Sequence, residues 1–130
     1  MKKLSVLFVV ILMAASDLAA QETASAGKKQ FMQITTVESV VSGGIGRSKM
    51  VITAPDGSQK ESDLENLFSL VGINFKNIKE NENQLVRTLK LYTDDGWKID
   101  QVMPFTLSPG TSGGVGIFMT RYLLSRLEKS

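Results

Sequence analysis

The 130-residue sequence contains no cysteine and no histidine. Without cysteine there is no disulfide and no thiolate nucleophile; without histidine there is no imidazole base, and the usual zinc sites lose both of their preferred ligands. No Asp-x-Asp-x-Asp-Gly loop occurs, which excludes a calcium site of that type. Charge of one sign is also missing. Fifteen basic and thirteen acidic residues leave a formal net charge of +2, too little to attract a polyanion strongly. From these absences the sequence assigns no catalytic residue, no cofactor and no metal, and it gives no reason to expect nucleic acid as a partner. What remains, with 42% apolar and 22% charged residues, has the balance of one small globular domain.

The N-terminal end has the pattern of an export signal. Lys2 and Lys3 precede an apolar run over residues 4–15, interrupted only by Ser5 and followed by Ser16, Asp17, Leu18, Ala19, Ala20 and then Gln21. That is a basic segment, an apolar segment and a small-residue cleavage site in the order a secretory signal needs. The apolar run would cover only about 18 Å as a helix, against roughly 30 Å of bilayer hydrocarbon. Cleavage is therefore expected after Ala20, with no integral membrane segment left. Because no cysteine is present for lipid attachment, the expected product is a freely released secreted or periplasmic chain. Residues 21–30 lack large apolar side chains and read as a flexible leader, leaving residues 31–130 as a single domain.

Within that domain, residues 31–41 are rich in Val, Ile, Thr and Phe and read as a first strand. Residues 42–46 form a turn with three glycines, and residues 48–54 a second strand with Met50, Ile52 and Ala54 on one face. Pro55, Asp56, Gly57 and Ser58 give the clearest β-turn signal in the chain. Over residues 62–71 two readings compete. Ser62 and Glu65 have capping-box spacing, and Leu64, Leu67, Phe68 and Val71 fall at helical intervals, which favours a short helix. The other reading pairs residues 58–64 with the preceding strand across the Pro-Asp-Gly turn.

Residues 77–95 predict a long helix, with Ile78, Leu85, Leu89 and Tyr92 in one stripe and Asn77 with Glu80 as a capping box. Gly96 fits the position just past its end, where left-handed backbone is needed, and Trp97 would close back on Tyr92. Asp94 and Asp95 break a local rule by placing two negative charges at the negative end of the helix dipole. Residues 97–107 and 115–124 read as two more strands. The fold class expected is α+β, a small antiparallel sheet of about four strands with one long helix packed on one face.

Two short motifs carry a chemical suggestion. Gly110, Thr111, Ser112, Gly113 and Gly114 match G-x-S-x-G, but the serine of such a motif needs a histidine to take its proton, and the stretch leads into a strand rather than a helix. A Ser-Lys dyad with Lys49 or Lys98 survives only formally. Residues 43–49 combine glycines, Arg47, Ser48 and Lys49 yet match neither phosphate-binding fingerprint. Asp94, Asp95 and Asp100 form no pair for acid-base work, since adjacent helical residues diverge.

From Leu89 through Gly96, Trp97 and Ile99 to Phe118, Arg121 and Leu123, the pattern Leu-x-x-Tyr-x-x-x-Gly-Trp-x-Ile followed by Phe-x-x-Arg-x-Leu resembles bacterial domain-of-unknown-function family 4177. The resemblance covers the C-terminal third. Asp95 departs from that family's usual Glu before Gly-Trp. The resemblance implies fold, with a helix ending at Gly-Trp and a closing strand, and carries no activity across. The functional expectation is an exported non-catalytic domain acting on an unknown protein or cell-surface partner, with oligomeric state open; the alternative is a hydrolase using carboxylates or the Ser-Lys dyad.

Overall fold

Local backbone preferences and a period-two burial pattern build most of the structure. A computed structural model of the chain describes residues 27–40, 48–107 and 116–128. The expected signal segment, most of the leader, the glycine turn at 42–46 and the loop holding Ser112 lie outside the described residues. The elements are β1 (Lys29–Ser39), β2 (Ser48–Thr53), β3 (Gln59–Leu64), β4 (Phe68–Ser69), β5 (Gly72–Ile73), α1 (Phe75–Asp94), β6 (Lys98–Leu107) and β7 (Ile117–Leu127). The fold is α+β.

By its contacts the chain parts into Gln30–Leu127 and a terminal unit of Met1–Lys29 with Glu128–Ser130. In the terminal unit the Glu128 N–H donates to the Lys28 carbonyl at 2.8 Å, and the two side chains form an ion pair at 3.6 Å. Lys29 and Gln30, assigned to the leader by composition, are already strand.

The main sheet has five strands in the order β3-β2-β1-β7-β6, and β4 with β5 makes a separate two-stranded ribbon. The pairs β1–β2, β2–β3 and β6–β7 are antiparallel. The strand beyond the expected four is β3. Residues 62–64 belong to it, as the reading that pairs residues 58–64 across the turn expects, and the rest of the segment 62–71 holds β4 and the turn into β5 rather than a short helix. The turn decides this. Gly57, at φ +83°, and the bonds from Gly57 N–H to the Ala54 carbonyl and from Ala54 N–H to the Ser58 carbonyl set six consecutive residue pairs of β3 against β2. Six ladder pairs outweigh a capping box and a few helical intervals. Asp56 accepts from both the N–H and the hydroxyl of Ser58, which hold its carboxyl below the usual carboxylate range.

Alternation places Met32 and Ile34 of β1, Met50 of β2, Leu64 of β3 and Leu124 of β7 in one buried cluster with Trp97, and Leu85, Leu89 and Tyr92 of α1 pack against it. The apolar stripe read from sequence is thus the face of α1 that covers the sheet. The helix begins two residues before its expected start. Asn74 is the cap, accepting from the Asn77 N–H at 3.3 Å, and Asn77 is a helical residue rather than the cap. At the other end Gly96, at φ +86°, sits past Asp95. Trp97 N–H donates to the Tyr92 carbonyl and Gly96 N–H to the Thr93 carbonyl, each at 3.1 Å, the Schellman pair of bonds.

Candidate functional site

Two of the three acidic residues singled out by sequence are held by cations. Asp94 pairs with Lys90 one helical turn earlier at 2.7 Å, and Asp95 pairs with Arg126 of β7. Each cation offsets a carboxylate that the helix dipole would disfavour. Arg126 also stacks over Trp97, its Cζ 4.4 Å from the ring centroid, and its Nε donates to Gln30 Oε1 at 3.2 Å. One side chain thereby ties the helix end, the buried indole and β1 together. Asp100 stands at a break in the β6–β7 register between Ile99 and Gln101, exposed to solvent. The three carboxylates do not converge on a cleft.

Of the two lysines available to a dyad, Lys49 makes an ion pair with Glu61 across β2 and β3, and Lys98 is exposed at the start of β6. Among the described residues no three acidic side chains come together as a metal site would require. No described helix is long and apolar enough to cross a membrane.

A buried polar cluster escaped the sequence reading. Asn81 of α1, 4% exposed, accepts from the Glu65 N–H and donates to the Glu65 carbonyl, both at 2.8 Å, and donates to Glu38 Oε1 at 3.0 Å. Its amide engages the Glu65 backbone in the way a neighbouring strand would. Asn77 donates to the Asn66 carbonyl at 2.8 Å, and the Ser48 hydroxyl accepts from the Ser39 N–H and donates to Asn66 Oδ1. These bonds fasten the segment after β3 to helix and sheet. Every side-chain group named has a protein partner, so the cluster is a clamp rather than a ligand site. The signal for it was Asn at position 81, where helical spacing from Ile78 and Leu85 places it on the covered face.

The surfaces left open are apolar. At the β4–β5 tip Leu70 is 86% and Val71 98% exposed, followed by exposed Ile73 and Phe75. Gly72, at φ +118°, makes the tight return possible. Beside the tip lies a cleft of about 410 Å³ lined by Glu65, Asn66, Phe68, Ser69, Asn74 and Asn77. The second open surface is β6, where Ile99, Val102, Phe105 and Leu107 are all exposed. Arg121, one of the residues carrying the family resemblance, lies over the Phe105 ring, its Cζ 5.5 Å from the centroid. Both surfaces were present in the sequence as apolar runs, but each was read as an element that buries its side chains.

No protein-family model, no curated protein and no solved structure matches the chain.

Proposed function

We propose that this protein is an exported, non-catalytic interaction module, freed of its signal segment near Ala20, that grips a protein or cell-surface partner with the β4–β5 tip. The observation that carries this reading is the pair Leu70 and Val71, presented almost wholly to solvent at the end of a two-stranded ribbon. Such side chains add nothing to the fold in that position. Burial of each in a partner releases about 1.5–3 kcal/mol. The neighbouring cleft, which Phe68, Leu70 and Val71 help to line, gives a partner's side chain a hollow beside the tip. The likeness to family 4177 belongs to the same proposal as a likeness of fold, because Gly96, Trp97 and Arg121 all serve architecture.

The test is a photo-crosslinking amino acid at Val71 in the exporting cell, with a control at Lys60 on β3. A discrete adduct at position 71 that is absent at position 60 and lost on Leu70→Ser is the expected result. Adducts of equal yield at both positions, or none at 71, would defeat the reading. So would substrate turnover by the purified protein that disappears on Ser112→Ala.

A further inference from the structure

Among the described residues the five-stranded sheet has two edges, β3 and β6, and only β3 carries charge along its length. An edge strand presents a row of unpaired N–H and carbonyl groups that invites another strand, and proteins blunt it with charge, proline or shortness. The β3 edge is six residues long and carries Lys60, Glu61 and Asp63. The β6 edge is ten residues long, or about 34 Å, and from Gln101 to Leu107 has no charge at all. Lys98, Asp100 and the register break between Ile99 and Gln101 guard its start, and beyond them Pro104 is the single guard. Proline in a sheet turns its nitrogen to the open side, so Pro104 removes one outward donor and leaves the rest of the row.

Side chains make the same point on both faces. Pairing with β7 sets Val102 beside Tyr122, on the helix side with Leu124, and Phe105 beside Met119 on the opposite side. Val102 is 52% and Phe105 46% exposed, so the strand is open above and below as well as along its edge. A fitting partner must bring an uncharged edge with apolar side chains on both faces. β6 itself meets that description, and a net charge of +2 gives two copies little reason to repel. Ile99, Val102, Phe105 and Leu107, each roughly half open, offer on the order of 300–400 Å² of apolar surface before any backbone is counted. That is up to about half of the ~800 Å² per partner of a standard interface, and the backbone ladder adds to it.

We infer that β6 pairs with β6 of a second copy, joining two sheets into one of ten strands. The contact is isologous, as a two-fold dimer requires. It uses none of the residues of the β4–β5 tip, and so stands or falls apart from the binding role proposed for that ribbon.

Sedimentation of the purified protein over a dilution series, beside Val102→Lys and Leu70→Ser, tests the inference. Expected are a dimer for the parent and for Leu70→Ser, and a monomer for Val102→Lys that still unfolds cooperatively, with a thermal melt matching the parent's at concentrations where the parent has dissociated. Because the chain has no cysteine, a single spin label can be placed at Gln101 or at Lys60. In the joined sheet the two Gln101 labels lie near the seam. The two Lys60 labels lie on opposite outer strands, nine strand steps or roughly 43 Å apart, so the 101 pair gives the shorter distance. A parent that stays monomeric, a dimer lost on Leu70→Ser, or a Lys60 pair closer than the Gln101 pair would each overturn it.

Discussion

The two sides of the sheet are held in different ways. On one side, β1, β2 and β3 lie under α1 and supply Met32, Ile34, Met50 and Leu64 to the buried cluster, and the Asn81 clamp closes the chain around them. On the other, β6 supplies no buried side chain, and the exposed large apolar residues include four from β6 and two from β7, with none from β2 or β3. Twenty helical residues cannot cover five strands, and the strand that they cover least, β6, supplies no side chain to the buried cluster. Cohesion is concentrated on the covered side, which leaves the β6–β7 ribbon apolar surface for contacts outside the fold. Trp97 and Leu124 are the points at which the ribbon side is anchored.

Trp97 should therefore show the largest effect of any single truncation. Its ring is buried between the helix end and the sheet, with Arg126 stacked upon it and Arg126 in turn holding Asp95. Trp97→Ala is expected to cost about 3–5 kcal/mol in chemical denaturation, the range for a buried aromatic. A melt indistinguishable from the parent would break the comparison, because the ribbon would then be anchored elsewhere.

A matched pair of aliphatic truncations sharpens the contrast. Ile34 on β1 is fully buried, whereas Val102 on β6 is half exposed. Ile34→Ala is expected to cost about 2–5 kcal/mol, and Val102→Ala no more than about 0.5 kcal/mol in the monomer, as for a surface position. Denaturant unfolding at low protein concentration separates the monomer's stability from any contribution of β6 pairing. Equal losses at the two positions would mean that the ribbon is packed like the covered side.

What could be read from the sequence follows the same division. Strands β1, β2 and β7, the stripe of α1 and the Gly96-Trp97 corner were legible because each is written in local terms, as alternation, helical spacing or a glycine just past a helix end. Over the segment 62–71 the helical reading was favoured because the local pattern is genuinely helical, and what overrides it is the register imposed by the turn at Ala54–Ser58, the competing reading. The role of Asn81 was hidden for a related reason. A single asparagine on a helix says nothing of the Glu65 backbone sixteen residues away. The resolution of the Asp94-Asp95 anomaly needed Arg126, thirty-one residues from Asp95, brought close by β7. The open state of β6 was invisible because its composition is that of a covered strand, and only the strand order makes it an edge.

The smallest expected effect lies on the border between the two sides. Tyr122 of β7 shares the helix-side face with Leu124 and faces the carboxylate of Glu38; its partial burial, and secondarily that negative charge, raise its hydroxyl above the usual tyrosine value of 10.0. A raised value favours the protonated form in the fold. The native state then holds its proton where the unfolded chain has begun to release it, so this contribution is intact below about pH 10 and is lost as pH climbs beyond it. The parent should lose stability above pH 10 more steeply than Tyr122→Phe, which has no proton to lose, and parallel alkaline limbs in denaturation would show the hydroxyl to be as solvated as the open side of the ribbon. A steeper limb for the parent would extend the cover of α1 to the helix-side face of β7 and leave β6 as the first strand beyond it.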